Sequence, residues 1–453
     1  MTYIAPLTLP FDTLASKLEQ LPGFAWLDSN APAHTLGRFS ILTGLPVARY
    51  LSERADASLL PPATRGRATG AIQGATEALP PPTPGLWIGW VAFAPPQARA
   101  ELGRWQTPNP RAEHTPPAQS DTGPYSDFAY YPAFILVDHH SGLARICAEN
   151  RAAADRLLDG LRSTGNPQTR QRTQCTRVET APAADFCASV VQAQQHMTAG
   201  NVYLVNLARA WHIYCDAFDV NALWQEARRR SPVPLGFRFH GHAETVLLGR
   251  SMELGLETWT GPAGINVRLR PIKGTRPLAG ASTERAFAAL ACDPKERAEH
   301  TMLVDLLRND IGKLALPGTV TWPEVFKCEQ YTHLVHAVST VTGTLPRTTN
   351  LETLVRNMLP MGSVSGTPKS SALSLIDTLE THPRHTFGGL AGYIDARGNS
   401  RFAINIRSAF LSGDSLLLQA GSGLVIDSDA EAEAAETELK VRFFFEALRA
   451  LAP

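Results

Sequence analysis

The chain has 453 residues, 44% of them apolar and 19% charged, enough for one large domain or two ordinary ones around a sizeable core. Lys+Arg and Asp+Glu balance at 42 each, so no net field draws the protein to nucleic acid or an anionic membrane, and a charged ligand has to be recognised locally. The opening stretch MTYIAPLTLPFDTL has no basic segment followed by a long apolar one, and no apolar run approaches the roughly eighteen residues of a spanning helix. Six cysteines (147, 175, 187, 215, 292, 328) form no CxxC and have no His-rich companion, which predicts reduced thiols in a cytoplasmic protein.

Residues 20 to 52 mix short apolar runs with turn residues. The stretch 79 to 124 is proline-heavy and interrupted by GLWIGWVAFA, a buried strand by pattern. YYPAFILVDHHSG (130 to 142) reads as one strand ending in a turn, with ARICAE as its hairpin partner. Residues 164 to 182 are polar and aperiodic, and are expected to connect an N-terminal segment (1–178) to a core (179–453). Beyond them the pattern predicts helices over 183–199, 219–229, 294–309, 369–380 and 430–450. Strands are predicted over VYLVNLARAWHIY and at 235–240, 244–248, 402–410, 415–420 and 424–426. Strands outnumber βαβ units, which favours antiparallel α+β over a parallel wound sheet.

Two carboxylates stand in unusual places. In KERAEHTMLVDLLRNDIG, Glu299 shares the apolar stripe of Met302, Leu303, Leu306 and Leu307. In the last helix, Glu436 falls on a face expected to carry Leu439, Phe443, Phe444 and Leu448 to the core, with Glu433 left to solvent. A buried unpaired carboxylate costs several kcal/mol, so each needs a partner. Either each meets an arginine, or the two share a cation, and two inward glutamates on different helices favour the cation. With oxygen ligands alone, the ion would be Mg²⁺.

AINIRSAF alternates as a strand, with Ile404, Ile406 and Phe410 on one face and Arg407 on the other. Such an arginine is ordinarily solvated. QAGSGLV reads as a Gly-Ser-Gly turn (Gly421, Gly423) whose N–H groups could hold a carboxylate, and Lys440 follows Glu436 by one helical turn. His336 lies in an apolar strand, where a core histidine is the default. GSVSGTPKSS fails the phosphate-loop spacing because Thr367 and Pro368 stand where glycine and lysine are needed, and it reads as a turn entering a helix.

The stretches PIKGTRP, AEHTMLVDLLRNDIG, HAVSTVTGTL, GSVSGTPK, GGLAGYID, AINIRS, QAGSGLVIDSD and ETELK, in this order over residues 183 to 445, resemble the chorismate-utilising enzymes. Component I of anthranilate synthase, component I of aminodeoxychorismate synthase, and the isochorismate and salicylate synthases belong to that family. The resemblance implies two antiparallel sheets packed face to face with helices outside. It implies Glu299 and Glu436 as magnesium ligands and Glu253, in RSMELG, as the acid that protonates the departing hydroxyl. Substrate contacts are implied at Gly274, Thr275, Arg407, Gly421, Gly423 and Lys440, and His336 in HAVSTVTGTL joins that set.

Lys273 resembles the lysine of aminodeoxychorismate synthases, where anthranilate, isochorismate and salicylate synthases carry alanine. Leu204 stands near the lysine base of the last two, which disfavours those reactions. The implied reaction is attack of the Lys273 amine on C2 of chorismate, followed by entry of ammonia at C4, giving 4-amino-4-deoxychorismate for p-aminobenzoate and folate synthesis. A lysine near pKa 10.4 needs about 4 kcal/mol to deprotonate at neutral pH. Arg268, Arg270 and Arg276 in sequence, a dication and partial desolvation are expected to lower that figure. No cysteine sits in a Gly-x-Cys-x-Gly elbow, so ammonia is expected free or from a separate glutamine amidotransferase. The alternatives are anthranilate synthase component I and a non-catalytic, amino-acid-binding regulatory relative. Some family members bind tryptophan near segments resembling AWLDSN and SPVPLGF, but Leu235 replaces the usual aromatic residue there.

Overall fold

The computed structural model of the chain describes residues 2–31, 34, 36–53, 58–62, 81–93, 124–165, 173, 175–216, 218–278, 280, 282–331 and 334–452. Much of the proline-heavy stretch 79–124, and residues 166–172 and 174 of the expected connection, lie outside these.

Two antiparallel sheets make the frame. The first has twelve strands, in spatial order Tyr3–Leu7, Leu143–Ala148, Ala133–Asp138, Phe39–Thr43, Ala25–Asp28, Leu235–His240, Val246–Ser251, Ser408–Ser412, Ser415–Leu424 and Leu204–Cys215. The outer edge of the last is shared by Gly366–Thr367 at one end and Cys175–Thr180 at the other. The second sheet has ten strands, including Leu334–Leu345, Leu254–Thr260, Ser400–Ile404, Leu390–Ile394, Leu86–Val91, Ser126–Tyr131 and Ala48–Ser52. Ile265–Arg270 and Ile272–Pro277 lie end to end along one edge of Leu334–Leu345, and Thr321–Gln330 runs along the other. Pro271, which has no N–H to give, marks the break between the first two.

The sheets pack face to face through Ala25, Ile41, Phe134, Phe237 and Leu247 on one side and Ile88, Trp90, Leu254, Tyr393 and Ala403 on the other. Helices Phe11–Leu18, Arg151–Ser163, Val220–Arg230 and Ala430–Leu451 cover the outer face of the first sheet. Helices Pro294–Gly312 and Leu351–Met358 pack on the second, while Lys369–Leu379 lies against strands Leu204–Cys215 and Gly366–Thr367 of the first. This is the α+β architecture expected, and among the described residues no helix is long and apolar enough to cross a membrane.

Several local expectations change. The run 130–142 is not one strand: Ser126–Tyr131 belongs to the second sheet and Ala133–Asp138 to the first, with Pro132 at the crossing. The run 402–410 is split likewise, so alternation cannot be carried through 405–407. Strand Ser415–Leu424 is continuous, which makes Gly421–Gly423 strand rather than turn. The polar stretch 164–182 contains the exposed strand Cys175–Thr180. On the last helix, Glu433, Ala434, Thr437, Val441, Phe444 and Leu448 are buried, whereas Leu439 is 57% exposed. The helix is therefore rotated from the face expected, because the run Phe443–Phe445 offers apolar side chains on three adjacent headings. Glu433, expected in solvent, is buried and bonded to the Ser422 and Ser428 hydroxyls.

Candidate active site

The site gathers where the chain changes sheet. Strand Val246–Ser251 of the first sheet passes through Met252 and Glu253 into Leu254–Thr260 of the second, and Ser400–Ile404 of the second passes through Asn405–Arg407 into Ser408–Ser412 of the first. The two crossings are bonded side by side: Arg250 N–H donates to the Arg407 carbonyl at 3.0 Å, and Ile404 N–H to the Glu253 carbonyl at 3.1 Å. Glu253 is 5% exposed. Burial raises its carboxyl to about 7, against the pull of the Ser363 hydroxyl, the Ile272 N–H, Lys440 and Lys273.

Arg407 adopts a positive φ of 50°, a conformation that costs free energy in a non-glycine residue and clusters at functional positions. Its guanidinium is half-buried, and among the described residues it makes no ion pair or side-chain hydrogen bond. Burial lowers its pKa, with Tyr331 and Glu436 acting the other way. Pairing of Ser415–Leu424 with Ser408–Ser412 stops at Ser408↔Gln419, so residues 420–424 have no strand on that edge. An unpaired, partly desolvated cation beside open backbone is suited to a carboxylate.

Lys273 and Gly274 occupy a β-bulge, since the register of Ile272–Pro277 on Leu334–Leu345 slips between Ile272↔Val338 and Thr275↔His336. Gly274 has φ 98°, where a side chain would be strained. The bulge is pinned by a chain of hydrogen bonds. The Lys273 carbonyl can only accept, so His300 Nδ1 donates to it at 2.9 Å, and His300 Nε2 accepts from the Ser339 hydroxyl at 2.6 Å. Ser339 in turn accepts from Phe326 N–H at 3.0 Å.

The Lys273 amine, 26% exposed, lies 2.6 Å from Glu299 Oε2. A Cβ on Gly423 would stand 3.0 Å from the same amine, so the glycine there is needed for approach, not for a turn. Gly421 is needed for Asn206, whose Oδ1 would be 2.2 Å from an added Cβ. Lys440 bonds Glu436 at 2.6 Å and the Gly421 carbonyl at 2.7 Å. Asn206 pairs with Gly423, which puts Leu204, two residues earlier, on the same face of the sheet.

These contacts correct the electrostatics expected around Lys273. Arg268 donates to Glu257 at 2.7 Å, Arg270 pairs with Glu329, and Arg276 with Asp293 at 2.7 Å. Each arginine has its own carboxylate, so no positive crowd presses on the amine. Burial does act to lower it, but Glu299, Glu436 and Glu296 outweigh burial and hold its pKa above the ordinary value. Neither glutamate of the expected metal pair meets an arginine: both meet lysines.

Glu299 is buried as its helical stripe predicts. Glu436 is 49% exposed, contrary to the core position expected, yet closely surrounded, which is the situation of a side chain in a cleft. Among the described residues no cluster of three His, Cys, Asp or Glu side chains could hold a metal. Two carboxylates around one amine nevertheless suit Mg²⁺, which takes oxygen donors and keeps several waters.

Thr275 Oγ1 bonds His336 Nδ1 at 2.7 Å, while His336 Nε2 is buried without a partner. Burial takes this imidazole down to about 3, so it is neutral. Its ring meets the edge of Tyr331 with centroids 4.9 Å apart. Asn206 Oδ1 is also buried and unpartnered. The motif reading missed His300, Glu296, Asn206 and Tyr331. His300 directly follows Glu299 in sequence, but its role depends on a carbonyl 27 residues away.

A separate apolar cleft lies between the sheets, lined by Leu27, Asp28, Pro234, Leu235, Phe237 and Tyr393 among others. It brings together the two segments named for the regulatory alternative. Asp28 is not free for a ligand, however, since Arg250 and Arg228 bind it at 2.8 and 3.1 Å.

Two packed antiparallel sheets with helices outside, Glu253 and Arg407 standing where the chain crosses between them, make an α+β enzyme fold. The chain belongs to the chorismate binding enzyme family, whose sequence profile matches residues 26–446. It is 34% identical over 330 residues to anthranilate synthase component 1 of Saccharolobus solfataricus, covering 72% of this chain and 74% of that protein. With the enzyme of the same name from Cereibacter sphaeroides it shares 36% over 314 residues, covering 67% of this chain and 61% of that one. The chain thus spans less than two thirds of the Cereibacter relative. In solved structures it resembles anthranilate synthase component I from Streptococcus pneumoniae, with a TM-score of 0.71 and 25% identity over 90% of this chain and 92% of that one. The isochorismate synthase MenF of Escherichia coli has the same fold, with a TM-score of 0.71 at 18% identity over 99% of this chain and 94% of that one.

Proposed function

We propose that this protein is the component I of a chorismate-aminating synthase, in which ammonia forms a C–N bond to the ring of chorismate and the protonated C4 hydroxyl leaves as water. The observation that carries this reading is the unpaired Arg407 guanidinium beside the Lys273–Glu299 and Lys440–Glu436 pairs, in a chain matched by the family over nearly its whole length. The names of the relatives support anthranilate as the product better than the 4-amino-4-deoxychorismate first expected. One observation favours the second product: the Lys273 amine is held at a fixed bulge inside the cleft, at the position given above as alanine in anthranilate synthases.

In either reaction Arg407 binds and orients a substrate carboxylate, which removes part of the entropic barrier. Glu253, a carboxyl raised to about 7, keeps a large protonated fraction at neutral pH, far more than an ordinary glutamate, and gives that proton to the leaving hydroxyl oxygen. Glu299 and Glu436 would hold Mg²⁺, which supplies Lewis-acid neutralisation of substrate charge when bound. With those two carboxylates engaged, Glu296 alone of the three that raise Lys273 is left to oppose burial, which favours the neutral amine. Ammonia would come from a glutamine amidotransferase partner, as the words "component 1" in the relatives' names suggest.

The test is incubation with chorismate, Mg²⁺ and an ammonium salt. Anthranilate fluoresces without further enzymes, whereas 4-amino-4-deoxychorismate yields p-aminobenzoate only after a lyase is added. Lys273→Ala is expected to take the 4-amino product to background while leaving chorismate binding nearly unchanged. Fluorescent product from the wild type, undiminished in Lys273→Ala, selects the anthranilate reading, and no turnover of chorismate by the wild type overturns both.

A further inference from the structure

Away from the cleft, two of the six cysteines stand side by side. Cys175 opens the strand Cys175–Thr180, which is exposed along its whole length, and Cys215 ends Leu204–Cys215. They are register partners across the ladder, just past a bulge at Tyr214/Cys215, and their sulfurs approach to 2.7 Å. Cys175 is exposed and Cys215 buried. The exposed strand is attached to its sheet through Leu204–Cys215 alone among the described strands. It leads within a few residues into helix Ala183–Thr198, which packs against Ala430–Leu451, the helix that carries Glu436 and Lys440.

We propose that Cys175 and Cys215 are a disulfide-forming pair, which a low-molecular-weight disulfide oxidises to clamp the exposed strand onto the sheet edge. The Cys175 thiolate attacks the added disulfide, forming a mixed disulfide and releasing one thiolate. The Cys215 thiolate then displaces the second thiolate from the Cys175 sulfur. The two cysteines lose two protons and two electrons, and the added disulfide is reduced to two thiols. The order follows from exposure: burial and the neighbouring sulfur hold the Cys215 thiol protonated, so Cys175 meets the reagent first. The sequence reading expected six independent reduced thiols, because a separation of 40 residues gives no CxxC signal.

The folded chain is treated with oxidised glutathione and analysed by mass spectrometry after alkylation. The expected product takes up two fewer alkyl groups than the untreated chain, contains a peptide linking Cys175 to Cys215 that is lighter by two hydrogens than its two free-thiol parts, and reverts with dithiothreitol. Cys175→Ser should lose the link without losing chorismate turnover. Cys215→Ser, lacking the resolving thiol, should stop at one glutathione adduct on Cys175. Six free thiols in the treated wild type, or linkage of a different pair, overturns the proposal. If Cys215→Ser does not fold, the wild type and Cys175→Ser decide the question alone.

Discussion

Helices Pro294–Gly312 and Ala430–Leu451 each bring a glutamate to Lys273, but they hold it differently. Glu299 is part of a buried face with Leu303 and Leu307 and is closed against the amine at 2.6 Å. Glu436 lies off the buried face of its helix, in the cleft, with Lys440 as its partner. The carboxylate that is truly inside the second helix is Glu433, and two serine hydroxyls satisfy it. On that helix the buried carboxylate is thus structural, and the one open to the cleft is the one free to exchange its partner for a ligand.

The largest expected effect is at Glu253, which feels both Lys273 and Lys440. Glu253→Gln should lower kcat by about 10²- to 10⁴-fold. In the wild type, turnover should fall as the pH rises through about 7, where this carboxyl loses its proton. The sign for stability follows from the same shift: folding raises the group from 4.5, so its neutral form favours the native state below that pH. That contribution is lost as the pH rises toward 7, and Glu253→Gln should flatten this part of the curve in thermal melts.

Next come the glutamates themselves. Glu299→Gln leaves a largely enclosed lysine unpaired and should cost roughly 3 kcal/mol in urea unfolding. Glu436→Gln should cost less than about 1 kcal/mol, as a solvent-screened pair. Both should raise the Mg²⁺ concentration needed for half-maximal turnover. Equal stability losses would erase the distinction between a closed and an open carboxylate.

Gly423→Ala pushes a methyl to 3.0 Å from the Lys273 amine, and should reduce formation of a lysine-dependent product roughly three- to tenfold with little change in melting. The smallest effect is at Leu439: its replacement by glutamine should change stability by no more than about 0.5 kcal/mol. A loss above about 2 kcal/mol would return it to the core, and with it the original helix rotation.

The fold class and Glu299 were legible because one apolar stripe and many short alternating strands admit a single reading. Glu436 was singled out by an expected core position that the structure does not give it, since three consecutive phenylalanines leave the helix heading undetermined. Arg407 was credited to strand alternation, yet the chain changes sheet at that residue, and no local pattern encodes a crossing between sheets. The activation expected from Arg268, Arg270 and Arg276 failed for a related reason: neighbours in sequence found their carboxylates elsewhere in space. His300 was invisible because its partner is a backbone carbonyl, which every residue possesses.

The frame has two seams. Among the described strands, those of the first sheet before residue 150 join the rest only where Ala25–Asp28 meets Leu235–His240, and those of the second sheet only where Leu86–Val91 meets Leu390–Ile394. Separating these parts would bare two rows of unpaired amide donors and acceptors at once, an invitation to edge-to-edge self-pairing. Reassembly from two separately made fragments would therefore require both joints to zip together, so complementation should be all-or-none rather than graded.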